Sequence, residues 1–486
     1  MGGEQPDSMQ GLIDQLTSMI HPRSVALVGV PRGAKMGKVF LTGLLDQDFK
    51  GHIYPVNPKV NDIDGFKTYP TLSAIPEPVD LAIVLVPHSQ TLPVVRECAA
   101  KGVKGAVLFT AGYGETGTEE GQALERELAR IAQTTNMRLI GPNSMGIYAP
   151  ESGLAFFYGL PKSPGPVGII SQSGSLAVIL ARMAPQRGVY FSKVLSVGNQ
   201  CDLTSADFFY YLGQDDETRV IGAYHEGIKE GRRFLEALCE ASIRKPVILW
   251  KLGLTDQGRQ AAASHTGALT GAEDIWRGVV NQSGGVFVEG LEEWVDTLMA
   301  FTLLPSHVMG NRMAIISGPG GLAVAAAEAC GREGMVLAKL NPESQAALAK
   351  FLPPTGTSFR NPIDVGLSAS SEPKMFARAA TVALEDPEVD VVVVIGTGGS
   401  PEGSRKYTDL LIDAHRSHDK PFLIVKLPGF DPKLCQTFCE AGFPVFETAE
   451  RAMSTYARVR RYWIWRQKRK AQGAGRKDKA GSGERI

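Results

Sequence analysis

Cysteine is scarce and unpatterned in this chain, which sets a first limit on what it can be. The six cysteines (Cys98, Cys201, Cys239, Cys330, Cys435, Cys439) fall in predicted helices or loops and include no C-x-x-C pair. A disulfide framework is excluded, and a reducing, cytosolic compartment is expected. Cys435 and Cys439 are spaced i, i+4, which suits a metal or simply a shared helix face; the helix face is the plainer reading, and no metal site is expected. Net charge is lacking too. The 51 basic residues balance the 51 acidic ones, whereas a dedicated nucleic-acid binder carries a broad basic excess. No apolar run approaches the ~20 residues of a membrane span. The opening MGGEQPDSMQ has no apolar signal core, and Pro6 stands where a myristoylation motif requires Ser or Thr. A soluble cytoplasmic protein is expected, with neither nucleic acid nor membrane as partner.

What is abundant is the alternation of short apolar, β-branched runs with alanine-rich amphipathic segments. SVALVGV (24–30), HIYPV (52–56), LAIVLV (81–86) and GAVLFT (105–110) make a first set. GPVGIIS (165–171), KVLSVG (193–198), RVIGAY (219–224) and KPVILWK (245–251) make a second. MAIISG (313–318), VVVVIGT (391–397), PFLIVK (421–426) and FPVFET (443–448) make a third. Continuous apolar strands between helices imply parallel sheets covered on both faces. The expected fold is α/β, with three doubly wound domains at 1–155, 156–305 and 306–460. Residues 461–486 turn basic and Gly-rich, and a disordered, solvated tail is expected there.

One internal repeat stands out. Residues 171–189 (SQSGSLAVILARMAPQRGV) align without gaps to residues 317–335 (SGPGGLAVAAAEACGREGM). Each copy reads as strand, tight glycine turn, helix, with Gly174 and Gly320 at the turn. Unpaired N–H groups and the positive dipole end then face one point, a ready site for a phosphate or another anion. Duplicated packing without a ligand explains the repeat equally well from the residues alone.

The first domain carries a glycine-spaced loop, Gly29-Val30-Pro31-Arg32-Gly33-Ala34-Lys35-Met36-Gly37-Lys38, which is not the G-x-G-x-x-G fingerprint. The next strand ends in Asn57-Pro58-Lys59, a cation where an NAD site needs a carboxylate. Lys35, Lys38 and Lys59 suit a ligand with several phosphates, or are ordinary surface lysines. Farther on, residues 252–271 are nearly all small, with one imidazole at His265. Such a segment buries little and is expected to be a mobile functional loop. A lone histidine is ordinarily structural, but Ser264, Thr266 and Gly267 leave room for a bulky substituent on this one.

Ser264-His265-Thr266-Gly267-Ala268 resembles the phosphohistidine segment of the NDP-forming acyl-CoA synthetases, relatives of succinyl-CoA synthetase. The resemblance covers roughly residues 15–460, in the order of an ADP-forming acetate–CoA ligase α subunit. It rests also on the Gly29 loop, Asn57-Pro58-Lys59, Val86-Pro87, GPNSMG (141–146), SQSGS (171–175), SVGN (196–199), SGPGG (317–321) and NPIDV (361–365). The resemblance implies a Rossmann-like CoA-binding domain followed by two flavodoxin-like domains. It implies phosphorylation of His265, with Glu226 as its acidic partner. A carboxylate on the far N–H fixes the ring tautomer and steadies positive charge during attack. Ser171, Ser173, Gly174 and Ser175 would cradle the phosphoryl group from one side, and Gly318, Gly320 and Gly321 from the other; Ser196 and Asn199 would line the same pocket. Gly29, Lys38, Lys59, Val86 and Pro87 are expected at CoA.

The sequence departs from the family at Val30-Pro31, where a small residue and then Ser are usual, which puts one CoA contact in doubt. No ATP-grasp region follows residue 460. ADP/ATP and its Mg are therefore expected on a separate β subunit, in a heterotetramer acting on a small carboxylic acid. A non-catalytic CoA- or acyl-CoA-sensing module on the same fold is the alternative, opposed by the presence of both His265 and Glu226. A Rossmann oxidoreductase is opposed by Lys59 and the missing fingerprint.

Overall fold

The computed structural model describes residues 9–33, 35–266, 271–366, 372–397 and 399–481, with only the main chain described at 265, 266 and 473–481. Two compact units emerge: Met1–Pro185 with Tyr190–Glu289, and Gln186–Val189 with Gly290–Ile486. Three main sheets are divided between them, two in the first unit and one in the second.

The first sheet contains β1 (Ser24–Val28), β2 (His52–Val56), β5 (Leu81–Val84), β6 (Gly105–Leu108) and β7 (Arg138–Ile140), all parallel, in the order β2-β1-β5-β6-β7. A small hairpin of β3 (Asp62–Ile63) and β4 (Phe66–Lys67) follows β2. β1, β5 and β6 are buried along their whole length, as continuous apolar runs require when helices cover both faces. The chain leaves β1 for β2 on one side and returns to β5 on the other. The crevice for a ligand therefore opens at the carboxyl ends of β1 and β5.

The second sheet has β8 (Gly146–Tyr148), β9 (Val167–Ser171), β10 (Phe191–Ser196), β11 (Val220–His225), β12 (Val247–Lys251) and β13 (Val286–Val288), ordered β13-β12-β11-β9-β10-β8. Only β8 runs antiparallel, against β10. The switch in winding falls between β9 and β11, so the residues just after Ser171 and His225 share one crest.

In the second unit, β14 (Arg312–Ser317), β15 (Val336–Leu337), β17 (Val391–Gly396), β18 (Phe422–Lys426) and β19 (Val445–Phe446) run β15-β14-β17-β18-β19, with β16 (Ile363–Asp364) also on β14. The helix Leu291–Leu303 belongs to this unit: Arg451 and Arg458 of the last helix pair with Asp296 and Glu293 at 2.6 and 2.8 Å. The second compact unit thus takes in residues ahead of the boundary expected at 305, from Gly290 onward. Of the tail expected to be disordered over 461–486, residues up to 481 continue one helix, Ala449–Gly481, and residues 482–486 lie outside the described residues. Tyr456, Val459, Tyr462 and Trp463 repeat at three- and four-residue spacing and are buried, carrying the apolar face past the point where basic residues begin. Among the described residues no helix is long and apolar enough to cross a membrane.

Candidate functional site

Glu226 follows directly on β11, where an apolar strand gives way to Gly227. Its side chain is buried and accepts a hydrogen bond from the Tyr224 hydroxyl at 2.9 Å. Its own N–H and that of Gly227 both donate to Gln172 Oε1, at 2.8 and 3.1 Å. Gln172 lies in the turn between β9 and the helix Gly174–Met183, and its N–H donates to the Tyr224 carbonyl at 3.1 Å. The acidic residue and the anion-type turn are therefore one hydrogen-bonded assembly at the switch point of the sheet.

The turn has the form that the repeat predicts. Ser173 caps the helix, its Oγ accepting from the Leu176 N–H at 3.3 Å and lying 3.2 Å from Ser175 Oγ. Ser171 Oγ donates to the Ser173 carbonyl at 2.7 Å and tightens the bend. A Cβ at Gly174 would come within 2.7 Å of Met145 Cγ and 3.5 Å of Ser196 Oγ, so only glycine lets this helix start approach the end of β10. Ser196 Oγ accepts the Met145 N–H at 3.1 Å. Ser171, Ser173, Gly174, Ser175 and Ser196 are thus brought together.

Asn199 is not available in the expected way. Its amide donates to Glu115 at 2.5 Å and to Glu125 at 2.9 Å, and a pair of carboxylates repels the phosphate it was expected to bind. Burial pushes the Glu115 carboxyl up, but the N–H of Gly112, the Asn199 amide and the N–H of Tyr113 outweigh it and hold the group below the ordinary carboxylate value. Lys229 pairs with Glu125 at 2.6 Å, joining this cluster to the segment just after Glu226.

The small-residue segment expected to be a loop is helical over Asp256–Thr266. Three successive alanines favour helix, and Thr255 Oγ1 accepts the Gly258 N–H at 3.0 Å at its start. His265 is the penultimate residue of this helix; residues 267–270 lie outside the described residues. Gly258, Ala261 and Ala262 line a cavity of about 470 Å³ that Tyr224, Glu226 and Lys251 also line. Position 265 stands one helical turn beyond Ala261 and Ala262. The helix Asp256–Thr266 also packs on the turn Gly114–Thr116 that carries Glu115.

In the first sheet, Gly29 has φ +88°, and a Cβ there would lie 2.6 Å from Val86 Cγ1. Gly29 after β1 and Val86 after β5 therefore face each other across the predicted crevice. Asn57 Nδ2 donates to the Val30 carbonyl at 2.9 Å, and Asn57 Oδ1 accepts the Lys59 N–H at 2.9 Å, drawing the end of β2 to the same crevice. Pro87 opens the helix His88–Lys101, and Lys59 is exposed. A close glycine cradle edged by an exposed cation fits a phosphate-bearing cofactor such as CoA. Lys38, also expected at CoA, pairs its ammonium with the half-exposed Asp64 at 2.6 Å.

Gly318, Gly320 and Gly321 stand in the second unit, where the repeat reproduces the hydrogen bond as well as the sequence: Ser317 Oγ donates to the Pro319 carbonyl at 3.0 Å. The two turns differ in charge. A Cβ at Gly320 would be 2.8 Å from Asp364 Oδ2, so the second helix start already faces a carboxylate.

Sequence reasoning singled out neither Gln172 as a brace nor Lys251 as a site residue. Gln172 was visible only as part of SQSGS. Lys251 had one signal, a lone charge closing an apolar strand. Burial pushes its ammonium down to about 8, with the Glu226 carboxylate opposing. The adjacent His225 is wholly buried, and that burial, with the Lys251 charge adding, pushes its imidazole down to about 3. His225 is therefore a neutral core residue, packed on Phe209 and Phe234.

Three family models match in succession: a CoA binding domain over residues 23–150, a succinyl-CoA ligase-like flavodoxin domain over 164–301 and a ligase-CoA domain over 313–399. The α subunit of ADP-forming acetate–CoA ligase II from Pyrococcus furiosus is 36% identical over 451 residues, 91% of this chain and 97% of that protein. ADP-forming acetate–CoA ligase I from Archaeoglobus fulgidus is 39% identical over 381 residues, but the match spans only 54% of its length. Acetyl-coenzyme A synthetase 1 of Ca. Korarchaeum cryptofilum, solved with phosphate and ADP, superposes with a TM-score of 0.83 at 33% identity, over 93% of this chain and 97% of that one. This chain therefore belongs to the α-subunit family of the ADP-forming acetate–CoA ligases, the acyl-CoA synthetases related to succinyl-CoA ligase.

Proposed function

We propose that the chain is the CoA-binding, phosphohistidine-carrying subunit of an NDP-forming acyl-CoA synthetase. It interconverts acyl-CoA, NDP and phosphate with a carboxylic acid, CoA and NTP. The observation that carries this is the Gln172–Glu226 assembly: a buried carboxylate, bonded through its main chain to an anion-type turn, on the wall of a cavity along the His265 helix. Phosphate first displaces CoA from the acyl group, giving acyl phosphate. A ring nitrogen of His265 then attacks phosphorus, the P–O bond to the acyl group breaks, and the carboxylate leaves. Glu226 holds the proton on the other ring nitrogen and offsets the positive charge that builds on the ring. Donors fixed at the turn Ser173–Ser175 need little reorganisation as charge develops. CoA is assigned to the crevice of Gly29, Lys59 and Val86. ADP/ATP and Mg are assigned to an ATP-grasp β subunit, in a heterotetramer with this chain.

Co-expression with a β subunit and incubation with labelled ATP tests the reading. Acid-labile, base-stable label on this chain is expected, lost in His265→Ala and formed at least ~100-fold more slowly in Glu226→Gln. Equal labelling of His265→Ala refutes the carrier role.

A further inference from the structure

The assembly contains a charge that the mechanism above leaves without a role. Lys251 ends β12 with its side chain buried, opposite His225 in the register with β11. Its ammonium donates to the Glu226 carbonyl at 2.7 Å and to the Leu252 carbonyl, and lies 5.2 Å from the centroid of the Trp276 ring. Both hydrogen bonds go to main chain. One fixes the residue that carries the acid; the other fixes the first residue after β12, where the chain sets out towards the helix of His265.

A phosphoryl group carries a charge of about −1.5 to −2 near neutral pH. Bringing it to a ring beside a buried carboxylate sets like charges together where water screens poorly. The Lys251 ammonium shares the cavity wall with Glu226 and supplies the opposite charge. Among the described residues, the other charged groups on this cavity are Glu273 and Glu289, which Arg277 pairs at 2.7 and 3.2 Å. Arg259, on the helix itself, is taken up by Asp256 and by the Leu254 carbonyl at 2.6 Å. His225, behind Lys251, is neutral.

Resting on the carrier role of His265, we infer that Lys251 is a positioning residue for phosphoryl transfer: it pins the Glu226 main chain and balances the Glu226 charge, so that a phosphorylated ring is accepted beside that carboxylate. The charge and the hydrogen bonds are removed together by one substitution and kept together by another. Methionine keeps the length of the side chain and loses both; arginine keeps charge and donors and does not deprotonate.

The test is the rate of phosphohistidine formation in the αβ complex from Mg-ATP, by rapid quench between pH 6 and 9. The unaltered complex is expected to slow about tenfold from pH 7 to pH 9, the loss due to one group titrating near 8. Lys251→Met is expected to be at least ~10-fold slower at pH 7, with the KM for CoA unchanged. Lys251→Arg is expected to restore most of the rate and to remove the alkaline fall. Labelling of Lys251→Met at the unaltered rate and pH profile overturns the inference. So does an alkaline fall that persists in Lys251→Arg, a readout that holds even where the methionine variant fails to fold. Absence of label from the unaltered complex overturns the carrier role instead, and is distinguishable from either result.

Discussion

Gln172→Ala probes the brace between the anion-type turn and the acid. The amide oxygen of Gln172 accepts two main-chain N–H groups, from Glu226 at 2.8 Å and Gly227 at 3.1 Å, at a partly buried point. Alanine leaves both donors without that acceptor, and each unsatisfied buried group costs about 1–3 kcal/mol. Water entering the space left by the side chain recovers part of this, so a net loss of about 2 kcal/mol is expected. If the loss falls on the folded state alone, the midpoint of thermal unfolding drops by roughly 4–8 °C at ~2–4 °C per kcal/mol. If it falls instead on the geometry needed for transfer, the phosphohistidine rate drops about 30-fold, since ~1.4 kcal/mol is tenfold. The two are separated by calorimetry of the chain and rapid-quench labelling of the αβ complex. Gln172→Glu keeps the acceptor but adds a second carboxylate beside Glu226; stability near that of the unaltered chain with slowed labelling is expected. A Gln172→Ala chain that melts and labels like the unaltered one refutes the brace.

Gly29→Ala forces a side chain onto a left-handed backbone and into Val86 Cγ1, so weaker CoA binding by the isolated chain and a stability loss of about 1–3 kcal/mol are expected, read by titration calorimetry and denaturant unfolding. Undiminished CoA affinity in that variant removes the crevice from the cofactor site. Glu115 titrates below its unfolded value, so the stability it contributes is present above the unfolded carboxylate range and is lost as pH falls through its folded pKa. Urea unfolding at pH 7 and below pH 4 is expected to show a smaller acid loss in Glu115→Gln than in the unaltered chain; identical losses refute it.

The sequence by itself determined the class of fold and the family. Buried β-branched strands between alanine-rich helices admit little besides parallel sheets, and the turns of the repeat follow from where glycine and serine sit. Local propensity was also enough to make Asp256–Thr266 a helix, though sparse apolar content concealed it behind the small residues. The end of the last helix was concealed differently: Tyr462 and Trp463 are buried by Phe301 and His307, more than 150 residues earlier in the chain, while the basic residues around them suggested solvent. Partner choice was beyond local reading as well. Asn199 and Lys38 suit a phosphate-bearing ligand by type, and each meets carboxylates that only folding brings near, Glu115 and Glu125 for one and Asp64 for the other. Lys251 reverses the case. Its charge was plain in the sequence, but a role emerged only when parallel pairing of β11 and β12 set its ammonium under the Glu226 carbonyl, because strand register and burial are properties of the assembled sheet.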